Sequence, residues 1–151
     1  MPYRICKIFE VESGHMLSKH PAACKYPHGH SRQVEVILET PDLDDREMVC
    51  DFKALKQAVA DCVEHFDHRL CVNSKDPALT ELTERYGDRI IVFPGEDPTT
   101  EVMARHLYHA IRRRLAEARR DPSLPYPFFQ DVHLVRVRVS ETRTSWAEYY
   151  E

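Results

Sequence analysis

The rhythm of apolar and polar positions changes several times along the chain. Residues Tyr3 to Val11 place β-branched and aromatic side chains in short alternation, the period of a half-buried strand. Residues 13–30 hold Gly14, Pro21, Pro27 and Gly29 and read as a loop. Val34, Val36 and Leu38 then alternate with Gln33, Glu35 and Glu39, a second strand with one wet face. Residues 40–45 are a turn. Phe52, Leu55, Val59, Cys62, Val63 and Phe66 recur at helical spacing, with Asp51 placed to cap a helix over about 52–66. Residues 67–98 look irregular, apart from a short strand at Ile90-Ile91-Val92-Phe93. A second helix is expected from near Thr99, after Pro98, with Ala104, Leu107, Tyr108, Ile111 and Leu115 as its apolar stripe. Residues 121–129 carry three prolines and form a connector. Val135, Val137 and Val139 alternate with Arg136, Arg138 and Ser140 in a third strand, and Trp146 to Tyr150 make a short fourth.

The order is two strands, two helices, two strands. It predicts an α+β fold with an antiparallel sheet and two helices on one face. At 151 residues the chain is one domain, 1–151, with no internal repeat. Four strands leave sheet edges and a second face exposed, so pairing between copies in a homo-oligomer is expected.

Composition narrows the function classes. Lys and Arg number 21 against 25 Asp and Glu, a net charge of -4, which argues against a general nucleic-acid binder. The basic cluster Arg112-Arg113-Arg114 with Arg119-Arg120 sits late in the second helix and reads as a solvated end favoured by the helix dipole. No apolar run approaches the length needed to span a bilayer. The opening Met1-Pro2-Tyr3-Arg4 lacks the apolar stretch of a secretory signal, and a cytoplasmic location is expected. Five scattered cysteines without a CxxC fit a reducing compartment. Cys6, Cys50 and Cys62 fall in regular apolar patterns and suit buried, inert thiols.

The chemistry concentrates in Cys24-Lys25-Tyr26-Pro27-His28-Gly29-His30. In extended backbone His28 and His30 point to one side, and two imidazoles can converge on one ion. A bare His-x-His is as readily a surface pair. His15 at the end of the first strand supplies a third imidazole, because an antiparallel return brings it beside the pair. Three histidines with an open position are the arrangement of a catalytic zinc site. Cys24, in a polar loop, is either a fourth ligand or a thiol poised as a base. Asp67-His68 is either a carboxylate–imidazole pair or an ordinary helix end. Glu141 shares the parity of Val135, Val137 and Val139. It stands either as an acceptor for an amino-heterocycle or as a solvated strand end. Glu101 reads most simply as a first-turn helix acid.

Taken together these pieces resemble the 6-pyruvoyl-tetrahydropterin synthase / 6-carboxytetrahydropterin synthase family. The resemblance rests on FEVESGHML (9–17), CKYPHGHS (24–31), MVCDFKALK (48–56), FDHRL (66–70), PTTEVMA (98–104) and VSETRTSWAEY (139–149). The gap from Cys24 to the His-Gly-His motif is like that of the carboxy-synthase branch. The resemblance implies a tunnelling fold (T-fold), ββααββ, assembled as trimers whose sheets close into a barrel, with trimers stacked in pairs and active sites between subunits. It implies zinc on His15, His28 and His30, with Cys24 as proton acceptor. It also implies Asp67 and His68 as a proton relay, and Glu141 as pterin anchor and relay member with Glu101 in support. The implied substrate is 7,8-dihydroneopterin triphosphate. The implied product is 6-carboxy-5,6,7,8-tetrahydropterin, on the route to queuosine. The longer connector over residues 74–97 and the bulk of Trp146 depart from the pattern and bear on the product.

Overall fold

The structure is a computed structural model that describes residues 1–128 and 131–151; position 129, the end of the expected connector, lies outside the described residues. Strand β1 (Tyr3–His15) and strand β2 (His28–Thr40) pair antiparallel without interruption from Tyr3 opposite Thr40 to His15 opposite His28. Both strands run further than their alternation predicts, into the stretch that reads as a loop. The reason is the Gly14–Gly29 pair. These two residues face each other across the ladder. A Cβ on Gly29 would stand 3.3 Å from the Ser13 carbonyl oxygen, and one on Gly14 would stand 3.2 Å from Leu70 Cδ1. Glycine at both positions lets the ladder continue to the two histidines that end it.

Helix α1 (Phe52–Glu64) starts where Asp51 accepts a hydrogen bond from the Lys53 N–H at 2.7 Å. Then come strand β3 (Arg69–Asn73), helix α2 (Leu79–Tyr86) and strand β4 (Ile90–Phe93). Helix α3 (Thr100–Arg120) follows, its first turn capped by the Thr99 hydroxyl, which accepts from the Val102 N–H. Strands β5 (His133–Thr142) and β6 (Ser145–Tyr149) close the chain.

The sheet has six strands in the order β4-β3-β1-β2-β5-β6. It is mixed: β3 runs parallel to β1 at Ser13–His15, and β4 runs parallel to β3. The four-strand antiparallel expectation is therefore corrected over residues 67–98. The strand expected at Ile90–Phe93 is present as β4, while β3 at Arg69–Asn73 and helix α2 at Leu79–Tyr86 stand where the chain reads as irregular, each too short to display a clear period.

The core lies on one face of the sheet. Val34, Val36 and Leu38 of β2 and Val137 and Val139 of β5 are fully buried against Leu55 and Val59 of α1 and Leu107, Ile111 and Leu115 of α3. Each such side chain contributes about 1.5–3 kcal/mol of burial free energy. The parity of β5 breaks once. A register shift opposite Ile37/Leu38 leaves Val135 half-buried and turns Leu134 inward instead. The opposite face is polar. There the Arg138 guanidinium stacks 3.5 Å from the Trp146 ring centroid and bonds Glu148 at 3.0 Å. Cys6 lies exposed, against the buried placement expected for it, because it falls on the outward parity of β1. Cys50 is buried and Cys62 half-buried. No helix among the described residues is long and apolar enough to cross a membrane.

Candidate active site

The antiparallel return of β2 along β1 sets His15 directly opposite His28, with Ser13 opposite His30. All three imidazoles point to the helix-covered side. Their ring centroids lie 4.5, 5.1 and 5.2 Å apart. Among the described residues, one ligand atom from each of His15, His28 and His30 falls within 4.8 Å of the others, and no fourth residue joins the set.

The hydrogen bonds fix which nitrogens are free. His15 Nδ1 stands 2.8 Å from the Pro98 carbonyl, and His28 Nδ1 stands 2.7 Å from the Tyr26 carbonyl. A carbonyl only accepts, so both Nδ1 atoms carry the proton and both Nε2 lone pairs are left to bind. His15 Nε2 and His30 Nε2 are 3.2 Å apart. Two nitrogens on a tetrahedral zinc are separated by roughly 3.3 Å. Burial pushes the His15 imidazole down to about 4, with the Arg32 charge adding to the effect and the Pro98 bond opposing it. Burial likewise lowers His30, helped by Arg32 and opposed by Glu141. Neutral imidazoles are the form that ligates a metal. The donor set, tautomers and spacing fit zinc.

Pro98 is held by its neighbour. Asp97 is buried and accepts from the Ser18 hydroxyl at 2.6 Å, the Lys19 N–H at 2.8 Å and the Asn73 amide at 2.9 Å. Burial alone would raise its carboxyl, but these donors outweigh it and hold the group below the usual range. Two segments of the chain, at Ser18-Lys19 and at Asn73, are thereby tied to the residue preceding the carbonyl that orients His15.

Glu141 sits where β5 bulges against β6, between Ser140 and Thr142. Bulges re-aim a side chain, and this one turns the carboxylate toward the imidazoles. Its Oε1 lies 3.8 Å from both His15 Nε2 and His30 Nε2 and accepts from the Thr100 hydroxyl at 2.9 Å. Glu101, the next residue on α3, is exposed in the helix's first turn.

Asp67 and His68 form a pair: His68 Nδ1 is 2.7 Å from Asp67 Oδ2. The backbone of Glu12 holds it from both ends, donating to Asp67 Oδ1 at 3.0 Å and accepting from the His68 N–H at 2.7 Å. The Glu12 donor, and then His68, lower the Asp67 carboxyl. His68 adopts a φ of 54°, the left-handed region that non-glycine residues seldom occupy. Both side chains are largely exposed, and His68 and His30 line one cavity of about 680 Å3. Cys24 lies in a 3-10 turn, Ala23–Lys25, half-buried, outside both the imidazole set and that cavity's wall.

Sequence reasoning missed Arg32, Thr100 and Asp97. Only Arg32 left a signal: it shares parity with His30, Val34 and Val36, a charged residue on a buried row.

Comparison with known proteins identifies the family and the fold. The profile of the family described as 6-pyruvoyl tetrahydropterin synthase matches residues 4–151. A relative from Aquifex aeolicus, named 6-carboxy-5,6,7,8-tetrahydropterin synthase, is 32% identical and covers 100% of this chain and 99% of its own length. A Halobacterium salinarum protein named as a probable 6-carboxy-5,6,7,8-tetrahydropterin synthase is also 32% identical, over 87% of this chain and 76% of its own. Among solved structures, an uncharacterised protein from Wolinella succinogenes superposes with a TM-score of 0.78 at 24% identity, covering 100% of this chain and 99% of its own. The 6-pyruvoyl tetrahydropterin synthase of Plasmodium vivax gives 0.73 at 14% identity, covering 100% and 98%. The α+β class expected from the order of elements, and the tunnelling fold implied by the resemblance, are the fold of these neighbours. With a profile match that runs nearly end to end, and with relatives at this identity, the chain belongs to the 6-pyruvoyl tetrahydropterin synthase family.

Proposed function

We propose that this protein converts 7,8-dihydroneopterin triphosphate to 6-carboxy-5,6,7,8-tetrahydropterin, with loss of triphosphate and acetaldehyde, using one zinc ion on His15, His28 and His30. The observation that carries the reading is the three-imidazole cluster with two Nε2 atoms 3.2 Å apart and no fourth protein ligand among the described residues. It leaves a coordination position for substrate. The curated relatives named above support the carboxy-synthase product over the pyruvoyl one.

Zinc bound there would supply Lewis acidity toward the oxygens of the substrate side chain. The remaining work falls to this chain's own groups. Cys24 stands outside the ligand set, so its sulfur is free to take a carbon-bound proton as thiolate. The Asp67 carboxylate fixes the His68 ring through Nδ1, which leaves Nε2 to exchange the second proton. Glu141 presents a carboxylate to the amino-pyrimidine edge of the pterin, and Glu101 supports it from the first turn of α3. A small, charged pterin triphosphate as substrate supports a cytoplasmic location, and the carboxy product supports a place on the route to queuosine-type deazapurines. Assembly with other copies would complete the surroundings of the exposed Asp67–His68 pair.

The test is direct. Zinc-loaded protein is incubated with dihydroneopterin triphosphate, and the pterin product is identified by mass while acetaldehyde is trapped. Carboxy-tetrahydropterin with stoichiometric acetaldehyde is expected. A pyruvoyl product without acetaldehyde would assign the triphosphate-elimination reaction instead, and an unchanged substrate would leave a binding module.

A further inference from the structure

A charged side chain that the proposed chemistry does not use stands behind the imidazole cluster. Arg32 of β2 is 1% exposed. Its Nη2 lies 3.4 Å from His15 Nδ1, and its Nη1 donates to the Thr100 hydroxyl at 2.9 Å and to the Ser140 carbonyl at 3.2 Å. Its Nε has no hydrogen-bond partner among the described residues. A guanidinium without water is costly, and one beside a metal ligand adds repulsion toward any cation bound there. Such a group persists where a nearby anion compensates it. The anion is Glu141, reached through a single hydroxyl.

The direction of that link is fixed by hydrogen-bond chemistry. A guanidinium only donates, so Thr100 Oγ1 accepts from Arg32 and sends its one proton to Glu141 Oε1, at 2.9 Å. Glu141 lies at a β-bulge, where the ladder holds its backbone less firmly. Its Oε1 is 3.8 Å from two Nε2 atoms. A modest swing would bring it onto an ion held by those nitrogens and close the place left for substrate. Arg32 and Thr100 pull the other way, from the side of α3.

We infer that Arg32 is a positioning residue that acts through the Thr100 hydroxyl to hold the Glu141 carboxylate beside the three-imidazole site and off the metal. The part of this concerning Glu141 and the pterin ring rests on the function proposed above; the part concerning the metal does not. Two links of one chain act as a unit, so removing either has the effect of removing both.

The experiment uses the full-length protein loaded with cobalt(II), whose visible absorption reports ligand number and type, and neopterin as a fluorescent pterin probe. The variants are Thr100→Val, Thr100→Ser, Arg32→Met, the Thr100→Val/Arg32→Met pair, and Thr100→Val with Glu141→Gln. Thr100→Val and Arg32→Met are expected to shift the cobalt spectrum in the same way, as Glu141 joins the coordination shell. Each is expected to weaken neopterin binding about tenfold, and the double variant no more than either alone. Thr100→Ser restores the hydroxyl and should match the wild type. Adding Glu141→Gln to Thr100→Val should return the spectrum to its wild-type form.

Superimposable spectra across the wild type, Thr100→Val and Arg32→Met overturn the assignment. So does a Thr100→Ser spectrum like that of Thr100→Val. An Arg32→Met protein that loses cobalt altogether while Thr100→Val stays like the wild type overturns it too, since that pattern belongs to a purely structural arginine. A wild-type protein that binds cobalt but not neopterin counts against the pterin reading, and the spectra still decide the role of Arg32.

Discussion

His15 uses its two ring nitrogens for two tasks. The Nδ1–H donates a hydrogen bond to the Pro98 carbonyl, and that bond orients Nε2 toward the place where His28 and His30 meet. Replacing His28 by alanine removes one of three ligands, and zinc content measured by mass spectrometry should fall together with turnover. Cys24→Ala should do the opposite: zinc stays at one per chain while turnover drops by at least about a hundredfold, the scale of a lost general base. Unchanged turnover would remove Cys24 from the mechanism. His15 also sets a pH dependence in the metal-free protein. Its imidazole titrates near 4 when folded and near 6.5 when unfolded, so between these values the unfolded chain binds the extra proton. The resulting stability is fully present above about pH 6.5 and is lost as pH falls toward 4. Urea midpoints of metal-free protein between pH 7 and pH 4.5 should decline, and more steeply than those of His15→Gln. The three histidines, Cys24, Asp67-His68 and Glu141 were legible as candidates, because residue type and spacing carry their chemistry. Arg32 and Thr100 were not, since their roles exist only through contacts between β2, β5 and the start of α3.

Among the elements, the long ones were readable, as were the short strands at Ile90–Phe93 and Ser145–Tyr149, whereas β3 and α2 were not. Helices α1 and α3 repeat their apolar positions over several turns, with Asp51 and Thr99 as caps, and the structure places them within a residue or two of expectation. Strand β3 has five residues, too few to show a period; it forms along the edge of β1 at Ser13–His15, and β4 in turn pairs with β3. The loop before α3 illustrates how one element positions another. Asp97 ties Ser18, Lys19 and Asn73 together beside Pro98. Asp97→Ala should destabilise the fold by about 2–4 kcal/mol in denaturant titrations, the scale for removing a buried carboxylate from several donors. It should also weaken zinc binding, measured by chelator competition, because the Pro98 carbonyl loses its anchor. A stable protein with unaltered zinc affinity would show that the loop holds itself.

At the scale of the whole molecule, the sheet is unfinished. Strand β3 covers β1 only at Ser13–His15, so the outer edge of β1 from Tyr3 to Glu12 has no strand beside it among the described residues, and β6 ends the sheet on the other side. The polar open face carries Arg138 stacked on Trp146, and Ile8 is half exposed. An exposed edge of this length invites pairing with another copy. Light scattering of the zinc-loaded protein is expected to give a mass of three or six chains, and a monomer at micromolar concentration would refute closure through these edges. The α+β order and the side of the sheet that is buried could be read in advance because alternation and helical spacing repeat many times. The number of strands and their mixed direction could not.

The sequence by itself determined the ligand types, the caps, the two long helices and the buried row of β2, all properties of residues close together in the chain. Tertiary structure alone decided that Glu141 turns at a bulge to within 3.8 Å of two imidazoles. It also decided that Pro98 selects the His15 tautomer across 83 positions of sequence, and that a buried arginine reaches a carboxylate through one hydroxyl. Those contacts depend on register and packing between distant segments, which no local pattern encodes.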